Sequence, residues 1–291
     1  PGEPVIDAVA ENVVETVRNT VIGEKDVRIS TVEHALAALY ASQIDNCLIE
    51  VDGPEMPILD GSAIKFIEEI ERVGLEEQDK EKEYYIIKQK TSCTDKETGS
   101  TITIYPDDNF SVETMVEYDS PVIPNQFAIL DDIADFKTEV ASARTFVFVR
   151  ELEKLLDYGL IKGGDLDNAI IIYDRKVPQE TISNLCKITG IPELHLDDLG
   201  YINPKPLKWD NEPARHKLMD VIGDLALIGK PLKGRVVAIR PGHTINNKFC
   251  RMLRKEVKHK EVQSPVYDPN KAPIIDINGI RKLLPHRYPF L

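Results

Sequence analysis

The chain has 291 residues, enough for one large or two ordinary domains. Hydrophobic residues make up 42% and charged residues 29%, an ordinary globular composition with enough apolar content for a sizeable core. The net charge of -13 disfavours nucleic acid as a partner, because an acidic surface repels phosphate backbones at long range. An anionic substrate therefore needs a local basic patch.

Neither disulfides nor membrane spans are indicated. The four cysteines, Cys47, Cys93, Cys186 and Cys250, are scattered without a C-x-x-C pair, which is typical of free thiols in a reducing compartment. No apolar run approaches the ~20 residues needed to cross a bilayer, and no signal peptide opens the chain.

The first part of the chain predicts strands that alternate with helices. Residues 30–33 (STVE) form a capping-box pattern that opens a helix running through residue 40. Residues 46–51 predict a buried strand, and residues 63–73 predict a second helix. The highly charged segment 76–83 (EEQDKEKE) indicates a domain boundary.

The second part begins with strands and ends with helices. Strands are predicted at residues 84–88, 101–105, 110–118, 168–173 and 235–239. Helices are predicted near residues 131–136, 150–158, 212–229 and 243–259. Prolines and polar residues predict an insertion with little regular structure over residues 175–209. Residues 263–276 predict a linker.

Three polar residues in the helix predicted at 212–229 are candidates for metal binding. His216, Asp220 and Asp224 are spaced i, i+4 and i+8, so a helix places them on one face. A histidine and an aspartate one turn apart can both reach one cation. On spacing alone, a polar face towards solvent is the more common case.

Further candidates come from other parts of the chain. Glu33 and His34 combine a carboxylate base with a histidine ligand, as a metallohydrolase needs, although they could equally be a capping residue and a structural histidine. His243 follows a predicted strand at a helix start, either as a general acid or oxyanion stabiliser or as a surface turn residue. Thr145 is either a functional hydroxyl or part of a buried strand.

Five motifs occur in one order along the chain. They are residues 27–34 (VRISTVEH), 44–46 (IDN) with 54–62 (PEMPILDGS), 142–146 (SARTF), 215–224 (RHKLMD, then IGD) and 242–248 (GH, then NNK). Together they closely resemble the signature of the UDP-3-O-acyl-N-acetylglucosamine deacetylases of lipid A biosynthesis. The resemblance covers roughly residues 5–262.

The resemblance implies an α+β fold of two similar βα-sandwich domains, each a sheet packed against helices, with the active site in the cleft between them. We expect domain I over residues 1–78 and domain II over 79–262, with an insertion at about 176–209. The family's usual first strands are absent, so we expect an incomplete first sheet. Residues 263–291 would be a linker and the start of a dehydratase domain, because residues 284–291 (LPHRYPFL) resemble the opening of 3-hydroxyacyl-[acyl-carrier-protein] dehydratases.

The resemblance also implies a catalytic zinc site. Carried over position by position, His34, His216 and Asp220 would bind one zinc ion per chain and leave a fourth position open. Glu33 would be the general base that takes a proton from the water activated by zinc.

Four further residues would surround the reacting amide. The resemblance implies that Lys217, Thr145 and His243 line the tetrahedral intermediate, and that Asp224 supports the cationic form of His243. Either the general base or His243 would protonate the departing amine.

Substrate contacts are expected at basic and apolar positions. Lys217, Lys248 and Arg144 are candidates for offsetting the negative field near a diphosphate. Phe146 opens the segment 146–169, which contains Gly163-Gly164 and resembles the family insert that forms an apolar passage for an acyl chain.

The implied reaction is zinc-dependent hydrolysis of the N-acetyl group of UDP-3-O-(3-hydroxyacyl)-N-acetylglucosamine, with release of acetate, in the cytoplasm of a Gram-negative type of bacterium. The natural fusion would also be a dehydratase with acyl carrier protein as a partner, oligomeric through that part and in transient membrane contact at most. Two alternatives stay open. The chain could be an inactive deacetylase-like scaffold or carrier-protein docking module, or a zinc hydrolase for another N-acetyl substrate.

Overall fold

The computed structural model describes residues 4–151, 168–189, 193, 198–202, 205–261 and 274–276. These residues form the α+β architecture that the resemblance predicted. The helices are α1 (Glu33–Ala41), α2 (Ile64–Val73), α3 (Phe136–Glu139), α4 (Gln179–Thr189), α5 (Glu212–Ala226) and α6 (His243–Glu261). Short 3₁₀ helices span Ala10–Asn12 and Ile133–Asp135.

The strands group into several sheets. They are β1 (Val13–Glu15), β2 (Val21–Glu24), β3 (Val27–Ile29), β4 (Leu48–Glu50), β5 (Tyr85–Ile86), β6 (Thr91–Thr94), β7 (Thr101–Tyr105), β8 (Phe110–Val116), β9 (Gln126–Leu130), β10 (Thr145–Phe148), β11 (Ala169–Tyr173), β12 (Gly200–Tyr201), β13 (Leu232–Ile239) and β14 (Ile274–Asp276). The antiparallel strands β1, β2 and β3 precede α1. In α2, Phe66, Ile67 and Ile70 recur at helical spacing and are buried, so this amphipathic helix covers the core with one face.

A six-stranded sheet forms the centre of the second half, in the order β6-β7-β13-β8-β9 with β5 paired to β13. Strand β13 is antiparallel to β7 and parallel to β8. Burial alternates along β8 because successive side chains point to opposite faces. Its buried Thr114 donates a hydrogen bond of 3.2 Å to the carbonyl of Ala214, so this face supports the start of α5.

Helices α1 and α5 cross at very close range. A Cβ atom added to Gly223 would lie 2.0 Å from the carbonyl oxygen of Glu33, so only glycine fits at this crossing. One core cluster includes Ala35 and Leu36 of α1 together with Leu218 and Ile222 of α5. The crossing therefore brings the first turn of α1 against the polar side of α5.

A second close approach between two backbones, again at a glycine, lies at the turn before α2. Gly61 has φ +77, and a Cβ there would lie 1.7 Å from the carbonyl oxygen of Asn168. Its own carbonyl accepts a hydrogen bond of 2.8 Å from Thr145 N. This turn therefore anchors the start of β10, where β10 runs parallel to β11.

The predicted capping box at residues 30–33 is wrong. Helix α1 begins at Glu33, and Val32 at its N-cap makes no side-chain capping bond. Thr31 has φ +58, and its hydroxyl donates to the Glu55 carboxylate instead. The Glu33 carboxylate accepts from Thr20 N, so long-range contacts replace the expected local pair.

Two other predictions needed correction. The weakly patterned region 175–209 contains helix α4 and strand β12, which pairs with β11, so it has more regular structure than expected. The strand predicted at 46–51 forms as β4, but it is only partly covered and pairs in parallel with β14 rather than lying in the core.

The helices predicted at 63–73, 212–229 and 243–259 and the strand at 101–105 are confirmed. Most of the helix predicted at 150–158, the Gly163-Gly164 pair and residues 277–291 lie outside the described residues. Within the part of the chain that the structure describes, no helix is both long and apolar enough to cross a membrane. The domain boundary near residue 78 stays a prediction.

Candidate metal centre and active site

Three buried side chains from two helices converge on one point. His34 comes from the first turn of α1, and His216 and Asp220 lie one turn apart on α5. Ligand-type atoms of the three residues lie within 4.8 Å of one another. Asp220 Oδ1 is 3.4 Å from His216 Nε2 and 3.8 Å from His34 Nε2. The structure therefore brings together the residues expected to bind a metal.

The cluster contains a buried ligand atom without a hydrogen-bond partner in the described parts of the chain, as a cation site would. Asp220 Oδ1, the oxygen that faces both imidazoles, is buried and makes no hydrogen bond among the described residues. Such atoms are costly in a protein interior unless they have a partner. Nδ1 of His216 lies 3.1 Å from the Ala143 carbonyl, which fixes the ring with Nε2 available towards Asp220. Two imidazoles and a carboxylate are a donor set that suits a divalent metal ion.

The electrostatics favour the protonation states that a metal requires. Burial lowers the pKa of His34 to about 3, and the neighbouring His216 adds to that effect. Burial also lowers the pKa of His216. Burial opposes ionisation of Asp220, but Lys217 and the nearby histidines outweigh it and hold the pKa of this carboxyl well below its usual range. Two neutral imidazoles and one carboxylate therefore face each other.

Glu33 precedes the first histidine of the cluster and is itself buried. Burial raises the pKa of its carboxyl to about 7, while the positive charge of His243 opposes the rise. Its Oε2 accepts a hydrogen bond of 3.0 Å from Thr20 N, and its Oε1 lies 3.9 Å from His243 Nε2. This carboxyl group is therefore poised to exchange a proton near neutral pH.

His243 begins α6 and faces the same cluster. Its Nδ1 lies 2.9 Å from Asp224 Oδ2, and its Nε2 is 3.9 Å from Asp220 Oδ2. Burial lowers the pKa of His243, but the carboxylates of Asp224 and Glu33 outweigh burial and raise it to about 9. Asn246 Nδ2 also donates to Asp224 Oδ2, at 2.7 Å. These contacts hold a cationic imidazole with Nδ1 directed at Asp224.

Lys217 and Phe146 lie at the side of the cluster. Lys217 Nζ donates to Asp220 Oδ2 at 2.8 Å and lies 5.8 Å from the centre of the Phe146 ring. Burial lowers the pKa of Lys217, but Asp220 outweighs burial and raises it. The Phe146 ring also packs edge-on 6.1 Å from the ring of His216. A cation and an aromatic ring therefore border the candidate metal ligands.

The other expected site residues are placed differently. Thr145 begins β10, where its N–H is bound to Gly61. Arg144 is buried, and its guanidinium forms a bidentate pair with Glu212 at 2.9 and 3.1 Å. That pairing assigns Arg144 to anchoring the start of α5 and does not fit the expected diphosphate contact. Lys248 is exposed on α6 and donates to Asp95 Oδ2 at 2.6 Å.

Sequence reasoning missed three contributors to the site. Glu212 is the partner of Arg144, Thr20 contacts both Glu33 and Asp224, and the Ala143 carbonyl orients His216. Each contact joins residues more than ten positions apart in sequence. Neither spacing nor local composition carries a signal for such pairs.

The site defines a class: an α+β protein with a candidate metal centre that lies beside the buried carboxyl group of Glu33 and the buried imidazole of His243. The family model described as LpxC, UDP-3-O-acyl N-acetylglycosamine deacetylase, matches residues 2–184 and 193–255. The chain belongs to this deacetylase family.

Individual relatives agree with the family assignment. A bifunctional enzyme LpxC/FabZ of Bacteroides thetaiotaomicron is 63% identical over 99% of this chain and 63% of its own length. A protein of the same description from Porphyromonas gingivalis is 57% identical over 100% of this chain and 63% of its own length. A UDP-3-O-acyl-N-acetylglucosamine deacetylase of Myxococcus xanthus is 36% identical over 88% of this chain and 74% of its own length. The chain therefore spans less than two thirds of the bifunctional relatives.

Proposed function

We propose that the chain hydrolyses the N-acetyl group of UDP-3-O-(3-hydroxyacyl)-N-acetylglucosamine and releases acetate, as the deacetylase part of a fusion enzyme. The observation that carries this proposal is the buried cluster of His34, His216 and Asp220 beside Glu33. Membership of the deacetylase family supports the proposed substrate class.

Zinc, with one ion per chain, is the metal we propose for His34, His216 and Asp220. Three protein ligands of this kind suit a catalytic zinc ion that keeps one position open. When bound, zinc would lower the pKa of water and polarise the amide carbonyl.

Proton transfer falls to Glu33 and His243. Glu33 accepts the proton of the attacking water, and its raised pKa of about 7 suits a base at neutral pH. Either Glu33 or His243 then protonates the departing amine. Asp224 keeps His243 in its cationic form through the contact at Nδ1.

The negative charge that develops on the amide oxygen needs fixed positive partners. We assign this role to His243 and Lys217, aided by the Thr145 hydroxyl. Phe146 forms an aromatic cluster with Tyr118 and Phe148, next to the buried Ile170 and Ile172. We propose that this apolar surface receives the acyl chain. Lys217 and the exposed Lys248 remain the candidates for the diphosphate.

A pair of histidine variants tests this assignment. We expect His216→Ala to lose both bound zinc and acetate release, because it removes a ligand. We expect His243→Ala to keep the zinc but to turn over about 10²- to 10⁴-fold more slowly, as loss of an acid–base group does. Metal analysis and an acetate assay on the zinc-loaded proteins would measure both. A His216→Ala protein with full zinc content and normal turnover would contradict the proposal.

An inactive scaffold that docks a carrier protein is the alternative function. The intact cluster speaks against it, because buried, unpaired ligand atoms such as Asp220 Oδ1 are destabilising in a protein that binds no metal. Tight binding of acyl carrier protein without any turnover of the UDP-sugar would favour the alternative.

The complete protein is proposed to have two activities. Relatives described as bifunctional LpxC/FabZ are longer than this chain. We propose that the whole fusion is also a 3-hydroxyacyl-carrier-protein dehydratase that binds acyl carrier protein and forms oligomers through that part. We propose a cytoplasmic location for it.

A further inference from the structure

The connection between β1 and β2 ends in Thr20, which is fully buried. Its backbone N–H donates a hydrogen bond of 3.0 Å to Glu33 Oε2. Its carbonyl accepts one of 3.3 Å from Val32 N, directly before α1. The backbone of Thr20 therefore fixes both the start of α1 and the carboxylate of Glu33.

The side chain of Thr20 reaches the other half of the proton-transfer machinery. Its Oγ1 donates to Asp224 Oδ1 at 2.5 Å and lies 3.1 Å from His243 Nδ1. Because the Thr20 hydroxyl donates its hydrogen to Asp224, its oxygen can only accept a hydrogen bond from His243 Nδ1. The Nδ1–H of His243 is therefore held between Thr20 Oγ1 and Asp224 Oδ2, and Nε2 faces Glu33 Oε1.

We propose that Thr20 is a positioning residue that couples the carboxyl group of Glu33 to the imidazole of His243. It contacts Glu33 through the backbone and the Asp224–His243 pair through the hydroxyl, so both groups share one rigid support. The inference rests on the deacetylase function proposed above. It adds a residue that the sequence motifs do not include.

The expected loss of rate on removing the Thr20 hydroxyl follows from the precision with which reacting groups must be positioned. Displacing a catalytic group by about 1 Å can cost about 10²-fold in rate, and loss of a supporting hydrogen bond typically costs about 10- to 100-fold. Thr20→Val keeps the shape and the backbone N–H but leaves Asp224 Oδ1 without its hydroxyl donor. Thr20→Ser keeps the hydroxyl.

The test compares the zinc-loaded wild type with Thr20→Val, Thr20→Ser and Thr20→Ala. We expect Thr20→Val and Thr20→Ala to bind zinc and to lower kcat by about 10- to 100-fold with little change in KM. We expect Thr20→Ser to restore kcat to within about threefold of the wild type, because the lost hydroxyl is the cause. Thr103→Val removes a buried hydroxyl bonded to Ser92, outside the site, and should leave kcat unchanged.

A spectroscopic readout separates this inference from the activity assay. The imidazole Nδ1–H proton of His243, identified by its loss in His243→Gln, should shift in Thr20→Val and return in Thr20→Ser. Normal kcat in both Thr20→Val and Thr20→Ala, or a Thr20→Ser protein as slow as Thr20→Val, would overturn the inference. An inactive wild type with the expected proton shifts would contradict the deacetylase function while supporting the positioning role.

Discussion

Glu33 and His243 form the chemical pair on which the proposed reaction depends. Their facing atoms, Oε1 and Nε2, lie 3.9 Å apart, and both residues are buried. Burial raises the pKa of Glu33 to about 7. Neighbouring carboxylates outweigh burial and raise the pKa of His243 to about 9. The two environments therefore suit Glu33 to accept a proton and His243 to stay cationic.

Replacing Glu33 with glutamine should separate catalysis from metal binding. Glu33→Gln still has an oxygen for Thr20 N but cannot accept a proton, so kcat should fall by about 10²- to 10⁴-fold with zinc content unchanged. Acetate release and metal analysis check this. Glu24→Gln, at an exposed position on β2, is the matched control and should behave as wild type. Normal turnover in Glu33→Gln would remove Glu33 from the mechanism.

Residue spacing predicted only part of the site. The spacing of His216, Asp220 and Asp224 predicted that they share a helix face, and the structure confirms it. Spacing could not predict that this face is buried against α1, because burial depends on the approach of a distant element. Thr20 was missed for the same reason, since its hydroxyl bond spans 204 positions to Asp224.

At the scale of elements, the crossing of α1 over α5 places Glu33 and His34 beside His216 and Asp220. Gly223 permits that crossing because any side chain would overlap the Glu33 carbonyl. The sequence showed this glycine only as part of a motif. Its role depends on the close approach of two backbones, which a single sequence does not reveal.

Gly223→Ala should therefore damage both stability and activity. The added methyl group would lie 2.0 Å from the Glu33 carbonyl oxygen, so the helices must separate. Overpacking of this kind costs about 1–3 kcal/mol in the free energy of unfolding, and the displaced base should lower kcat by about 10²-fold. Denaturant titration and acetate release measure the two effects.

Gly53→Ala is the matched control for that variant. An added Cβ at Gly53 meets no atom within 4 Å among the described residues, so its stability should change by less than about 0.5 kcal/mol. Equal stability and equal turnover of the two alanine variants would contradict the proposed role of the crossing.

The capping-box error shows how local pattern fails at a site. Residues 30–33 match the pattern, yet Thr31 adopts φ +58 and Glu33 turns towards Thr20. Long-range contacts with polar partners outweigh a cap whose typical value is about 1 kcal/mol. By contrast, α2 and the alternating strand β8 were predictable, because each is determined by one buried face.

At the scale of the whole molecule, the site joins elements from both halves of the chain. His34 comes from α1, whereas Phe146 and Phe148 of the aromatic cluster come from β10 and pack beside the buried strand β11. The overall α+β class was predictable from the ordered motifs. The helix α4 within the region 175–209 was not, because the prolines and polar residues around it obscured a short amphipathic pattern whose Ile182 and Cys186 are buried.

The apolar cluster predicts a strong preference for acylated substrate. Each buried methylene contributes about 0.8 kcal/mol, so burial of about four would raise kcat/KM by about 10²-fold. We expect UDP-3-O-acyl-N-acetylglucosamine to exceed unacylated UDP-N-acetylglucosamine by at least that factor in an acetate-release assay. Equal kcat/KM values for the two substrates would contradict this preference and favour another N-acetyl compound as the substrate.

The most direct test of the central claim is anomalous X-ray diffraction from crystals of the zinc-loaded protein, recorded on both sides of the zinc absorption edge. We expect one strong peak per chain, at bonding distance, about 2.0–2.2 Å, from a ring nitrogen of His34, a ring nitrogen of His216 and a carboxylate oxygen of Asp220. A peak elsewhere, or none at this cluster, would contradict the assignment of a catalytic zinc site.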